Sequence, residues 1–218
     1  PCVMPGAEAG YFGTPAVVPS YASRWTFDRV DQAGEGFDLL FNVATGELHN
    51  ALVRIEYRMS PRGVLASRVC VYPSPDGYPD GLHWLAALAL PLAATAHEVL
   101  SFGGDWAREF KPQRQTLETG ALVFESRRGR PGHDRFPALF IGTPGFGDDR
   151  GDVHAFSLAW SGSHRLSVER LREGAIGMQA GELLVDGERT GDRYESPWCY
   201  ATFSPRGLNG AMQALHAF

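Results

Sequence analysis

The 218-residue sequence contains only three cysteines, Cys2, Cys70 and Cys199, and no two of them form a CxxC pair. A disulfide scaffold needs a denser, paired set, so these spacings exclude one and favour a reducing compartment. The sequence also shows no recognisable signal peptide, which is the usual mark of secretion. We therefore expect a cytoplasmic protein.

The sequence also lacks a net positive charge and long apolar runs. The formal net charge is −5 at pH 7, whereas nucleic-acid binding draws most of its affinity from a basic surface. The longest apolar run, residues 84–96, is shorter than a membrane span and is interrupted by Pro91. The sequence predicts a protein that binds neither nucleic acid nor membranes.

Motifs for metals, cofactors and nucleophilic catalysis are also absent. The seven histidines never form HxH or HExxH, spacings that bring two metal ligands together. The segment GTPGFGDDRG, residues 142–151, lacks both GxGxxG and a following GK[ST], so we interpret it as a turn between strands. Ser161 lies outside a GxSxG elbow. We expect no metal, no cofactor and no serine nucleophile.

Apolar and polar residues alternate with a period of two in most segments, which is the pattern of half-buried strands. Three such segments carry their apolar side chains on one face: Phe37, Leu39, Phe41 and Val43; Val53, Ile55, Tyr57 and Met59; His154, Phe156, Leu158 and Trp160. We expect faces such as Val53/Ile55/Tyr57 and Phe156/Leu158/Trp160 to be buried between sheets. Asp186-Gly187 indicates a hairpin turn, and residues 198–203 indicate another strand.

Only residues 204–218 have the pattern of a helix. Ser204 can cap it, Pro205 suits the first helical position, and three apolar residues share a face, namely Leu208, Met212 and Leu215. Many short strands with one terminal helix predict a mainly β protein, a β-sandwich. No internal repeat or linker divides the chain, so residues 1–218 are expected to form one domain.

The segment ESRRGRPGHDR, residues 125–135, places four arginines and a histidine between two apolar stretches. Gly129 and Gly132 permit tight bends, so we expect the loop to be held in one shape. Guanidinium groups held in place suit bidentate pairing with carboxylates and carbonyls, which points to a ligand or a protein partner. A phosphate site would more often bring a glycine-rich helix start. We interpret the segment as a docking loop.

The segment GDWARE, residues 104–109, admits two interpretations. Asp105 and Glu109 could form the carboxylate pair of a glycosidase, whose separation sets the stereochemical outcome. The second interpretation is a polar turn in which Trp106 packs and Arg108 and Glu109 pair with neighbouring groups. We favour the turn, because sequence spacing in a β-rich chain does not fix a carboxylate separation.

Several stretches, in order, are similar to one family. The most telling are GDW-x-RE at 104–109, SRRG-x-x-GH at 126–133, WSG at 160–162, and SPW followed by GLNG before the terminal helix. Over residues 10–218 the chain resembles the N-terminal domain of bacterial α-galactosidases of glycoside hydrolase family 36. It departs from the family at Ser163-His164, where an Asn-containing version is expected after WSG.

The resemblance implies a β-supersandwich that precedes a catalytic (β/α)₈ barrel and a small C-terminal β-domain, both absent here. The family removes terminal α-galactose from melibiose- and raffinose-type sugars with retention, using barrel aspartates in motifs resembling KWD and CSGGGGR-x-D. Neither motif occurs in the chain. The resemblance thus implies a fragment that has no catalytic residue and is inactive alone. It also implies three kinds of partner: the chain's own barrel, further subunits of a homo-oligomer, and α-galactoside sugars.

Two sets of site residues follow. The stretch GYFGTP is similar to a family loop whose aromatic residues reach a sugar pocket, which makes Tyr11 and Phe12 candidates for a sugar-stacking wall. The docking candidates are Trp106, Arg108, Glu109, Arg127, Arg128, Arg130, His133 and Asp134.

Two alternatives from other classes remain open. The first is a stand-alone carbohydrate-binding module, which would need an exposed aromatic platform built from Trp25, Trp84 or Trp198. The second is a self-sufficient hydrolase that uses Asp105 and Glu109.

Overall fold

The computed structural model describes residues 3–4, 25–43, 50–74, 84–130, 133, 135–184 and 193–218. The predictions that concern Cys2, Tyr11, Phe12, the bend at Gly132, Asp134 and the Asp186-Gly187 turn lie outside the described residues.

The described residues form fifteen strands and one helix. Their bounds are β1 Val3–Met4, β2 Trp25–Ala33, β3 Gly36–Val43, β4 Leu52–Met59, β5 Leu65–Tyr72, β6 Trp84–Leu92, β7 Glu98–Asp105, β8 Arg108–Thr116, β9 Gly120–Ser126, β10 Ala138–Gly142, β11 Val153–Leu158, β12 His164–Arg170, β13 Ile176–Leu183, β14 Tyr194–Glu195, β15 Cys199–Ser204 and α1 Gly207–His216. This element list confirms the predicted mainly β class. In the described part of the chain, no helix is long and apolar enough to cross a membrane.

The strands build two antiparallel sheets. The small sheet has the order β1-β6-β13-β12-β9, and the large sheet has the order β2-β3-β4-β5-β15-β11-β10-β7-β8, with β14 paired to β5. The main core lies between the sheets and combines β10, β11 and β15 of the large sheet with β6, β12 and β13 of the small one. The predicted sandwich of two large antiparallel sheets is therefore confirmed.

The period-two pattern identified the buried faces of β4 and β11, but not that of β3, where Leu40 is buried and Phe37 is 43% exposed. It also did not identify the ends of the strands. Val53, Ile55, Phe156 and Leu158 are almost completely buried. The polar face of β4 forms ion pairs, as when the Arg54 Nη2 atom lies 3.1 Å from a Glu56 carboxylate oxygen. Trp160 was wrongly expected in the core, because β11 ends at Leu158 and the side chain beyond it is 37% exposed.

Helix α1 packs its predicted face on the side of the large sheet away from the main core. Leu208, Met212 and Leu215 cover a cluster that contains Phe146 and Val153. This arrangement explains why β11 has to bury both of its faces.

The predicted start of α1 was too early. The helix begins at Gly207, and its cap residue Arg206 makes no side-chain cap hydrogen bond. The Ser204 hydroxyl instead accepts the Arg206 N–H at 3.0 Å. Pro205 therefore lies in the turn before the helix.

Candidate docking surface

The β7–β8 hairpin presents a tryptophan at its tip. β7 ends at Asp105 and β8 begins at Arg108, so Trp106 and Ala107 form the turn. Ala107 has a φ of 63°, a left-handed conformation that non-glycine residues seldom adopt. The Ala107 N–H donates to a Glu109 carboxylate oxygen at 2.9 Å, which fixes the turn. The Trp106 side chain is 82% exposed, so the expectation that it packs within the domain was wrong.

Glu109 serves the turn as a hydrogen-bond acceptor. Its own backbone N–H and that of Ala107 hold the pKa of Glu109 below its usual value, and His133 adds a favourable charge interaction. Because a Glu109 carboxylate oxygen is already occupied by the Ala107 N–H at 2.9 Å, the geometry favours the structural turn over the acid–base pair.

A row of phenylalanines leads from the interior to the hairpin surface. Phe102 stacks on Phe110 with ring centroids 4.4 Å apart, and Phe110 meets Phe136 edge-on at 5.0 Å. On the inner side, Phe102 meets Phe140 at 5.9 Å. Phe110 remains 55% exposed and Phe136 41% exposed, so the outer end of the row is an apolar surface.

The arginine loop between β9 and β10 is tethered at its glycine bend. Gly129 has a φ of 66°, and its N–H donates to the Ser163 hydroxyl at 3.0 Å. Arg127 pairs with Glu125. The side chains of Arg127, Arg128 and Arg130 are exposed.

The loop and the hairpin meet at one end of the large sheet. The Phe136 N–H donates to the Phe102 carbonyl at 3.1 Å, and His133, half-buried, is close enough to influence Glu109. We call this region the docking end and define it as residues 104–110, the described part of 127–136, and 160–163. All the described docking candidates from the sequence belong to it, and Asp134 lies outside the described residues.

Comparison with known proteins agrees with the resemblance of the motifs. A model described as the glycosyl hydrolase family 36 N-terminal domain matches residues 3–187. The chain belongs to this family.

Two curated relatives illustrate the extent of the match. The α-galactosidase of Escherichia coli is 42% identical over 166 residues, which are 75% of the chain but 23% of that protein. A probable α-galactosidase C of Aspergillus terreus is 33% identical over 136 residues, 61% of the chain and 18% of that protein. The chain therefore spans less than a quarter of the length of these relatives.

Solved structures share the fold. The galactosidase domain of the α-galactosidase–sucrose kinase AgaSK superposes with a TM-score of 0.73 at 19% identity, over 88% of the chain and 29% of that structure. The family 36 α-galactosidase AgaA of Geobacillus stearothermophilus, in complex with stachyose, superposes with a TM-score of 0.71 at 18% identity, over 95% of the chain and 33% of that structure.

Within this family 36 domain, Ser163 has a role that the sequence did not reveal. It is buried, with 6% of its surface exposed, and anchors the arginine loop from 34 residues away. Next to it, the Trp160 indole N–H donates to the Ser163 carbonyl at 3.1 Å. A Cβ on Gly162 would lie 2.5 Å from that indole nitrogen, so the WSG motif needs its glycine. The WSG motif and the departure from the family at Ser163-His164 were the signals that the sequence offered.

The tryptophans proposed for a carbohydrate-binding module do not form an open platform. Trp84 is 5% exposed. Trp25 is half-buried and packs on Phe41 at 5.8 Å. The half-buried Trp198 ring is covered on one face by the Arg68 guanidinium, 4.7 Å from its centroid.

The opposite end of the sandwich holds a small cavity and no cluster of metal ligands. Thr143, Asp152, His154 and Phe203 line part of a cavity of about 270 Å³, and burial lowers the pKa of His154. Across the described ranges, no three His, Cys, Asp or Glu side chains come together in a way that could hold a metal ion.

Proposed function

We propose that this chain is the non-catalytic N-terminal domain of a retaining α-galactosidase that acts on terminal α-galactosyl residues of melibiose- and raffinose-type sugars. Its docking end would contact the catalytic domain of the same protein. The proposal includes assembly into a homo-oligomer and cytoplasmic localisation. A wall formed by Tyr11 or Phe12 beside a sugar pocket is also part of it.

The observation that carries the proposal is the gathering of the family motifs at one exposed end. GDWARE and SRRGRPGH are separated along the chain, yet the residues that flank them meet where the Phe136 N–H donates to the Phe102 carbonyl at 3.1 Å. This end exposes several arginines and a tryptophan, and both residue types are enriched at protein interfaces. The 42% identity to an α-galactosidase of which the matched segment is only 23% supports a catalytic domain as the partner.

The experiment compares the 218-residue chain with the full-length protein that carries it, both assayed on p-nitrophenyl α-galactoside and raffinose. We expect turnover by the full-length protein only, because the carboxylate pair that supplies most of the rate would lie in the missing part. Hydrolysis by the 218-residue chain that disappears with Asp105→Asn would contradict the proposal and support the hydrolase alternative.

Binding and assembly are tested on the same two proteins. Calorimetry with melibiose and raffinose should show no binding by the 218-residue chain, whereas a carbohydrate-binding module would bind without its neighbours. Light scattering of the full-length protein tests the oligomer, and a monomer would remove that part of the proposal.

A further inference from the structure

We infer that Trp106 is the anchor of the docking end, a side chain that enters an apolar recess of the catalytic domain. The inference rests on the proposed function and names the contact through which it acts. It commits to one occupant, because a chain that covers 23% of its Escherichia coli relative leaves a large part of such a protein to meet this surface.

The first argument is that Trp106 contributes little to the fold that presents it. With 82% of its surface exposed, the indole gains almost nothing from burial within this domain. Its backbone is nevertheless fixed by the hydrogen bond from Ala107 to Glu109. At Gly104 a Cβ would come within 2.0 Å of the Arg108 carbonyl, so the hairpin accepts no side chain there. A large aromatic group on a preorganised turn binds at a low entropic cost.

The second argument is the strained apolar surface on the same hairpin. Phe110 has a φ of 57°, a conformation that is costly for a bulky residue and often marks a functional site. The pairing of β7 with β8 also shifts register between Gly103 and Asp105, and such irregularities re-aim side chains near sites. These features keep Phe110 stacked on Phe102 while more than half of it faces outward.

The third argument is the arrangement of charge around these aromatic groups. Arg108 and Glu109 are exposed beside Trp106, and Arg127, Arg128 and Arg130 lie on the neighbouring loop. A protein interface typically has aromatic anchors at its centre and a polar rim around them. The docking end has both parts.

A protein partner fits the surface better than a sugar does. A sugar site combines an aromatic face with polar groups that are available to its hydroxyls. Here the Glu109 carboxylate of the same turn already accepts the Ala107 N–H. The exposed Phe110 and Phe136 add apolar area beyond what one sugar ring covers.

The test uses the full-length protein and the 218-residue chain, each with Trp106→Ala, Trp106→Phe or no change. The difference in tryptophan fluorescence between the unchanged and Trp106→Phe proteins isolates the signal of Trp106. Its quenching by acrylamide reports how accessible the Trp106 indole is. We expect an accessible indole in the 218-residue chain and a shielded one in the full-length protein. Phe27→Ala is the control, since Phe27 is 53% exposed in β2, at the opposite edge of the large sheet.

Native-state proteolysis within the docking end measures the strength of the contact. An interface hot spot is worth about 2 kcal/mol, and about 1.4 kcal/mol corresponds to a tenfold change. We therefore expect Trp106→Ala to raise the cleavage rate of the full-length protein about 30-fold, because cleavage follows the population of the open form. Phe27→Ala should leave that rate unchanged.

Equal quenching in the two proteins, or an unchanged cleavage rate, would overturn the inference. A raised KM for raffinose with unchanged cleavage would also overturn it and make Trp106 a sugar platform. A full-length protein that shields Trp106 but hydrolyses no α-galactoside would support the anchor and refute the proposed activity.

Discussion

A turn at each end of the large sheet carries a large aromatic residue, which is buried at one end and exposed at the other. At the helix end, the turn between β10 and β11 puts Phe146 into a buried cluster with α1, where it is 2% exposed. Gly207 lies so close to this turn that an added Cβ would be 2.3 Å from the Gly147 carbonyl. At the docking end, another turn presents Trp106 to solvent.

The difference separates motifs that build the domain from motifs that are available to a partner. At the helix end, backbone hydrogen bonds from Leu208 to Gly147 and from Asn209 to Asp148, 2.9 and 2.8 Å long, join the terminal helix to the turn. The docking end has a comparable framework, with Ser163 and Glu109 as acceptors. That framework supports side chains which remain exposed. A motif whose side chains stay exposed and contribute little to the stability of the fold is therefore the better place to look for function.

The largest expected effect is at the helix end. Phe146→Ala in the 218-residue chain should lower the free energy of unfolding by about 3–5 kcal/mol, as for other buried phenylalanines. It also removes the ring that lies 4.4 Å from the Arg114 guanidinium. Denaturant unfolding measures the loss. Trp106→Ala is the control and should change stability by no more than about 0.5 kcal/mol. Equal losses would abolish the distinction between the two ends.

A smaller effect is expected from the tether of the arginine loop. Ser163→Ala removes the acceptor of the Gly129 N–H, and a typical hydrogen bond contributes about 0.5–1.5 kcal/mol. We expect a loss of that size and faster hydrogen exchange at Gly129. Ser161→Ala is the matched control, because Ser161 lies two residues away and is exposed. Unchanged exchange at Gly129 would show that the loop is held in another way.

The sequence was sufficient for the parts of this comparison that depend on local periodicity. Alternation identified the buried faces of β4 and β11, and the spacing of Leu208, Met212 and Leu215 identified the face of α1. The predicted burial of Trp160 was wrong because an apolar residue just after a strand continues the alternating pattern although the strand has ended. The predicted first residue of α1 was wrong because Gly207 is positioned by its contact with Gly147, and no local sequence signal encodes that contact.

The docking end was only partly predictable for the same physical reason. The motifs named the two segments that meet at this end, and their role as a contact for a partner stays a prediction. Trp106 was named as a docking candidate, whereas the turn interpretation expected it to pack within the domain, and the structure leaves it 82% exposed. Gly129 follows β9 and Ser163 precedes β12, two strands that are neighbours only in the folded sheet, so the contact between them had to be seen in three dimensions.

The next prediction concerns a carboxylate at the helix end that resembles Glu109. Burial raises the pKa of Glu98, but the Gly145 N–H and Arg114 outweigh burial and hold the pKa below its usual 4.5. A depressed pKa in the folded state stabilises the protein above the unfolded pKa, and the contribution is lost as the pH falls through the folded value. Glu98→Gln should therefore cost up to about 1 kcal/mol at pH 7 and progressively less below pH 4.5.

Denaturant unfolding between pH 7 and pH 3 measures this effect. Glu118→Gln is the control, since it removes the same charge from an exposed position after β8. A cost for Glu98→Gln that does not change with pH would show that the charge of this carboxylate does not support the turn.

The smallest effect on the 218-residue chain is expected from Arg127→Ala. The Arg127 side chain is 64% exposed and its ion pair is with Glu125, on the adjoining strand. Exposed pairs contribute between about 0 and 1 kcal/mol, so we expect a change within about 0.5 kcal/mol in denaturant unfolding. Arg62→Ala, in the exposed turn between β4 and β5, is the matched control.

The same substitution should have a larger effect in the full-length protein if the loop contacts the catalytic domain. Truncating one partner of a buried charge pair costs about 2–5 kcal/mol, because the other charge is left unpaired. We therefore expect Arg127→Ala, but not Arg62→Ala, to lower the thermal midpoint or the assembly of the full-length protein. Unfolding of the 218-residue chain by Arg127→Ala, with no further effect in the longer protein, would make the loop an internal strut. The docking end would then resemble the helix end after all.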